Sequence, residues 1–200
     1  MHSTTFFTSD HHFGHANIIR YCSRPFAHKD AMDEALIERW NARVKDGDVV
    51  YHLADFTLRS KRFARQMFAR LRGQIRILGL PWHHDNGWVP ARPGPSDLYS
   101  ASGHAVEILP PLLVLKRKLP GHERRMPITI SHYPLAEWEG KHHGAWHLHG
   151  HSHGTHSGDG YKLDVGVDCH DYAPIAEAQV AELMAALPPS ALPSRRTRAS

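Results

Sequence analysis

The chain has 200 residues, 41% of them hydrophobic, with 24 basic against 20 acidic residues and 19 histidines. That length fits one domain able to bury a substantial core, and no apolar run approaches the roughly 18 residues that a membrane-spanning helix needs. The net charge of +4 excludes little, because three arginines sit in the last six residues and the rest is nearly neutral, at 21 basic to 20 acidic. Cys22 and Cys169 are too few to argue for an oxidising compartment. The first ten residues lack a basic segment followed by an apolar core. A cytoplasmic protein with free thiols is expected.

In chain order, an apolar strand from Thr5 stops at Asp10 and leads into a loop holding Asp10, His11, His12 and His15. A helix begins near Ala16. Residues 29–46 place Met32, Leu36, Trp40 and Val44 at helical spacing. A strand over 48–56 then delivers Asp55. Residues 60–72, with Phe63, Met67 and Leu71 on one face and Gly73 as a stop, predict another helix. A strand at 75–80 ends in Pro-Trp-His-His-Asp. This strand and helix alternation is that of a layered α/β sheet. After a turn-rich excursion at 88–95, apolar runs at 105–109, 112–116 and 128–131 predict a second sheet, and the last of these ends at His132. Lys116, Lys118, Arg124 and Arg125 surround a Pro-Gly turn, so they are expected at a hairpin tip, with a lip for a polyanionic substrate as the alternative. A strand at 161–168 and an amphipathic helix at 175–187, with Val180, Leu183 and Leu187 inward, complete a domain over 1–187. Residues 188–200, rich in Pro, Ser and Arg, read as a disordered basic tail.

The run His-Leu-His-Gly-His-Ser-His-Gly at 147–154 places four imidazoles on alternate positions, all on one face if the run is extended. A metal satisfies such crowding; a metal-scavenging tract or core histidines would be the alternative. Five strand ends therefore each present a His or an Asp. Imidazoles and carboxylates are the donors that manganese, iron, zinc and similar divalent ions share.

These blocks resemble those of the calcineurin-like metallophosphoesterase family, in its small bacterial and phage branch. The family carries Asp-Xaa-His, Gly-Asp, Gly-Asn-His-Asp, a lone His after a strand, and Gly-His-Xaa-His. Matching them in order are Asp10 and His12; Asp55; His84 and Asp85; His132; and Gly150, His151 and His153. The resemblance spans residues 5 to 180 and implies an α/β/β/α sandwich of two mixed sheets flanked by helices. It also implies a dinuclear site hydrolysing phosphomonoesters or phosphodiesters. One ion would be held by Asp10, His12, Asp55 and His153, the other by Asp55, His83, His132 and His151, with His84 protonating the leaving group. Three departures stand out. Ala54 replaces the second block's Gly, Trp82 and His83 replace the third block's Gly-Asn, and Leu58 stands before Arg59 where some relatives carry a second Asp.

A nitrogen-rich set with His83 as ligand shifts the expected ions toward manganese, iron, zinc or nickel and away from magnesium. The expected partner is a phosphoester, possibly a nucleotide or nucleic acid, with no membrane. The competing class is a catalytically impaired scaffold of the same fold, since fold does not settle function. His147 and His149 are expected to pack or to support the ligands from outside. His15 and Asn17 either contact the phosphate or cap the helix at Ala16. Trp82, Trp88 and Trp146 are expected to pack, with a base-binding floor as the alternative. His142 and His143 are expected to be solvated.

Overall fold

Near-continuous apolar residues such as Phe6-Phe7 and Val49-Val50-Tyr51 give the first strands two buried faces, which calls for a layer on each side. The computed structural model describes residues 3–119, 123–156 and 160–188. The chain runs through β1 (Thr5–Thr8), α1 (Ala16–Tyr21), α2 (Lys29–Arg43), β2 (Val49–His52), α3 (Lys61–Phe68) and β3 (Gln74–Leu78). It continues through β4 (Gly94–Tyr99), β5 (Ala105–Leu109), β6 (Leu112–Lys118), β7 (Arg125–Ser131), β8 (Trp146–His149), β9 (Lys162–Asp164), β10 (Ile175–Ala176) and α4 (Glu177–Ala185). The fold is therefore α/β, with two mixed sheets ordered β10-β1-β2-β3-β5-β4 and β6-β7-β8-β9.

In the first sheet, Phe6, Val50, Ile75, Ile77, Val106 and Ile108 face Met32, Leu36, Trp40, Met67 and Phe68 of α2 and α3. Their neighbours Phe7, Tyr51 and Leu78 face the second sheet, meeting Ile128, Ile130, Trp146 and Leu148. α2 is anchored at its start by the His28 side chain, which accepts from Ala31 N at 3.2 Å. Asp30 in its first turn and Arg43 in its last complement the helix dipole. Among the described residues, no helix is long and apolar enough to cross a membrane.

Several expectations change. Residues 105–109 belong to the first sheet: β5 pairs parallel with β3, matching Arg76 to Glu107, whose side chains meet at 3.0 Å. The switch to the second sheet comes after it, at Pro110 and Pro111, which cannot donate to a ladder. Ile175 starts a short strand, and α4 begins two residues later. Val180 and Met184, one turn apart, face inward, whereas Leu183 is 40% exposed. α4 packs on β1, β9 and β10. Part of the second sheet's outer face, at Thr129, His147 and Lys162, is covered by the 133–145 segment. There Leu135 N donates to His147 Nε2 at 3.0 Å and Lys162 Nζ to Leu135 O at 3.2 Å. The tip of the β6–β7 hairpin at 120–122 and residues 189–200, most of the expected tail, lie outside the described residues.

Candidate metal centre

Parallel pairing aligns the C-terminal ends of β1, β2 and β3, and of β7 and β8. Every candidate ligand follows one of these ends. The first two loops are tied together beyond the strands: Asp10 N donates to Ala54 O at 3.2 Å, His12 N to Asp55 O at 3.0 Å and Phe13 N to Phe56 O at 2.8 Å. Beyond the paired ends of β7 and β8, Gly150 N donates to His132 O at 3.0 Å. His151 N donates to both Asp10 oxygens at 3.0 and 3.2 Å.

The loops bring the donors into adjoining groups whose ligand atoms lie within 4.8 Å of one another: Asp55, His83, His132 and His151; Asp10, His12 and His153; and His12, Asp55 and His84. Asp55 sits between them. Its Oδ2 lies 3.4 Å from His12 Nε2 and 3.4 Å from His132 Nε2. His83 Nδ1 is 2.6 Å from Asp55 Oδ1. His84 Nε2 is 3.9 Å from Asp55 Oδ2 and its side chain is partly exposed.

Both ring nitrogens of His12, and Nε2 of His132, are buried without a hydrogen-bond partner among the described residues. Leaving buried polar atoms unpaired costs about 1–3 kcal/mol each, and a cation would remove that cost. His132 Nδ1 donates to Leu53 O at 2.7 Å, which fixes the tautomer and turns the Nε2 lone pair toward Asp55. These features fit divalent ions at both groups.

Electrostatics follow from burial. Desolvation raises Asp10 to about 7 and lowers His12 and His151. It would raise Asp55 too, but the close imidazole of His132, with those of His12 and His83, outweighs it and holds that carboxyl well below its ordinary range. His132 is raised in turn, because the Asp55 carboxylate 3.4 Å from its Nε2, with Asp10, overcomes its own burial. With Asp10 and His132 raised, cation binding there should release protons.

Backbone strain gathers here. Of the nine non-glycine residues at positive φ among the described residues, five are candidate ligands: Asp10, His12, Asp55, His151 and His153. Such conformations cost of order 1–3 kcal/mol each and concentrate at functional sites. Ala54 is a sixth, at φ 75°. A glycine would adopt this backbone without the Cβ penalty that alanine carries. Gly150 is required by contact instead, since a Cβ there would lie 2.2 Å from Ser9 Oγ and 2.4 Å from Asp10 Oδ2.

The chain matches no protein-family model. Over 69 residues it is 46% identical to an uncharacterized protein of Methanocaldococcus jannaschii, a stretch covering 34% of this chain and 39% of that protein. The match thus spans well under half of the relative's length. A crystal structure of a protein of unknown function from Aquifex aeolicus covers 91% of this chain and 100% of its own, with a TM-score of 0.62 and 20% identity. That likeness shows a shared fold.

Supporting groups emerge that sequence spacing did not reveal. Arg24, only 3% exposed, donates to Asp10 O at 2.7 Å and His11 O at 2.9 Å. Its Nε and Nη2 each reach Asp168 at 2.8 Å. Asp168 Oδ2 holds His153 Nδ1 at 2.7 Å, a carboxylate orienting a ligand imidazole. Burial opposes charge on His153, but the bond to Asp168 outweighs it and raises the imidazole. Asp85 accepts from Phe56 N, Thr57 N and Trp88 Nε1 at 3.0–3.2 Å, pinning the third loop to the second; burial raises its carboxyl to about 7. Asp33 accepts from Gly14 N with both oxygens at 3.0 Å. Asp85 stands in the third sequence block, but no local signal distinguishes Asp168 and Asp33 from surface acids.

The four imidazoles of the 147–154 run do not share a face. β8 ends at His149, and His151 and His153 adopt left-handed backbone. His147 and His149 stay in the strand, bonded to Thr129 O and Gly150 O. His15 precedes α1 without a side-chain capping bond. His142 Nε2 lies 3.8 Å from Glu137. Trp88 and Trp146 are in the cores, whereas Trp82 is exposed. Cys22 and Cys169 are both free. The basic hairpin cannot be a lip: its residues adjoin the N-terminal end of β7, and His132 follows the other end, about 20 Å away for an extended strand of that length.

Proposed function

We propose that this chain is a metal-dependent phosphoesterase of the calcineurin-like type, with an α/β/β/α sandwich fold. Asp10, His12, Asp55 and His153 would hold one divalent ion, and Asp55, His83, His132 and His151 the other. The observation that carries this reading is the position of Asp55 Oδ2, equidistant at 3.4 Å from one imidazole of each group. The core shared by the two sheets supports the sandwich. Two free cysteines suit the reducing cytoplasm.

Bound cations would lower the pKa of a shared water and neutralise phosphate oxygens for in-line attack. Asp55 contributes the negative charge between the two positions. His132 and His153 are held in the required tautomer and rotamer by Leu53 O and Asp168. His84, partly exposed with Nε2 3.9 Å from Asp55 Oδ2, would give a proton from a ring nitrogen to the departing oxygen. His83 stands where the family carries Asn, and the imidazole-rich set favours manganese, iron, zinc or nickel over magnesium.

The test is reconstitution of metal-free protein with each of these ions, with metal content and hydrolysis of nitrophenyl phosphate mono- and diesters measured together. Two ions per chain and metal-dependent hydrolysis are expected, and Asp55→Ala should lose both. Full metal content and turnover in Asp55→Ala would overturn the assignment. Two bound ions with no hydrolysis of any ester would leave a binding scaffold in its place.

A further inference from the structure

Beside the metal cluster a groove of about 520 Å³ is lined by Ile18, Tyr21, Cys22 and Ser23 on one wall and by the 151–155 loop on the other. Its size lies within the 300–1,000 Å³ usual for small-molecule sites. It is continuous with the reaction centre, since His151 and His153 line it and both belong to the ligand groups.

Three observations define what the groove would take. Tyr21 is 62% exposed, a large aromatic surface that the core does not use. Its ring is fixed in place, with the Arg20 guanidinium carbon 5.4 Å from the centroid and the His15 ring edge-on at 6.2 Å. His15 continues to His12 at 5.7 Å, so one aromatic wall runs from the metal ligands to Tyr21. Second, Ser23, Ser152 and Thr155 place hydroxyls in the lining, and among the described residues no carboxylate, lysine or arginine joins them. A second phosphate would meet no cationic lining residue other than the two histidines of the ligand groups, Arg20 lying against the Tyr21 ring instead, and a neutral polar group needs none. Third, Ser23 is held at φ 51° as the left-handed residue that closes α1, with Arg24 N donating to Ile19 O at 2.8 Å, which fixes the backbone that carries its hydroxyl.

We propose that this groove holds the nucleoside arm of a nucleotide ester, with the base against Tyr21 and the sugar along the hydroxyl-bearing wall, while the phosphate lies at Asp55. A base is planar and uncharged and stacks on tyrosine, and the sugar supplies hydrogen-bonding hydroxyls. The inference rests on the phosphoesterase reading for the phosphate and names the substrate class of that site.

The experiment compares two esters with the same leaving group: the p-nitrophenyl ester of thymidine 5′-monophosphate and methyl p-nitrophenyl phosphate. The ratio of their kcat/KM values isolates the arm. Base stacking on an aromatic side chain is worth about 1–3 kcal/mol, so Tyr21→Ala should lower that ratio about 5- to 140-fold, chiefly through KM. Tyr21→Phe, which keeps the ring, should retain it. An unchanged ratio in Tyr21→Ala, or a Phe variant as impaired as Ala, overturns the stacking assignment.

A second readout needs no turnover. Cys22 lines the groove, so in a Cys169→Ser background thymidine 5′-monophosphate should slow N-ethylmaleimide labelling of Cys22, in the presence and absence of manganese. Inorganic phosphate should not. Protection without hydrolysis of either ester would keep the groove and sink the phosphoesterase reading. Hydrolysis without protection, and with an unchanged ratio, would do the reverse.

Discussion

Replacing Asp168 with Asn should weaken one ion and spare the other. The carboxylate accepts two hydrogen bonds from Arg24 at 2.8 Å and one from His153 Nδ1 at 2.7 Å. His153 belongs to the group with Asp10 and His12, not to that with His83, His132 and His151. Loss of such an outer partner typically costs about 10- to 100-fold in metal affinity, or roughly 1.4–2.8 kcal/mol. A stability cost accompanies it, because Arg24 is buried and its counter-charge is removed. Breaking a buried pair costs about 3–5 kcal/mol, and the bonds Arg24 keeps to Asp10 O and His11 O place the expected loss near the lower end. Chelator competition on folded protein, followed through two binding steps, would read the affinities, and denaturant titration the stability. One step should move by 10- to 100-fold while the other stays. Equal weakening of both ions, or of neither in a folded variant, would refute the relay from Arg24 through Asp168 to His153.

His84→Ala should retain both ions and lose about 10²- to 10⁴-fold in rate, more on alkyl esters than on nitrophenyl esters; equal losses on both would remove His84 from the proton-donor role. Ala54 is buried at positive φ, a conformation costing about 1–2 kcal/mol in residues other than glycine. Ala54→Val, β-branched and larger, should therefore destabilise by about 2 kcal/mol or more, whereas Ala54→Gly should be near neutral, strain relief offsetting chain entropy and a lost methyl. A Val variant as stable as wild type in urea would contradict this. Burial lowers His147 to about 4, so below 6.5 the unfolded chain takes up a proton that the folded chain refuses until about pH 4, and stability falls as pH falls across that window. At about 1.4 kcal/mol per unit, His147→Gln should remove roughly 2 kcal/mol of the loss between pH 7 and pH 5; a variant tracking wild type across this range would show that the imidazole does not carry it.

Much of the candidate site was legible because its residues lie at the ends of strands whose apolar patterns are unmistakable. Asp10, Asp55 and His132 each follow a mostly apolar buried run, and parallel pairing then carries them to one edge. The histidine run misled for a specific reason. Alternation predicts a shared face only while the backbone stays extended, and left-handed φ values at His151 and His153 turn these two away from His147 and His149. The stretch 105–109 was read correctly as a strand but assigned to the wrong sheet. An apolar pattern records that a strand is buried and is silent about which neighbour it bonds.

The sequence by itself determined the α/β alternation, the two apolar faces of the first sheet and the order of ligand-bearing blocks, because these depend on local spacing and on side-chain chemistry. Tertiary structure alone decided which ligands meet. It placed Asp55 Oδ2 between His12 and His132, buried Arg24 beneath Asp168, and put the basic hairpin at the end of β7 remote from His132. It also set Tyr21 across a groove from His153, 132 positions away in the chain. Convergence of this kind depends on strand register and close packing between distant segments, and no window of adjacent residues contains it.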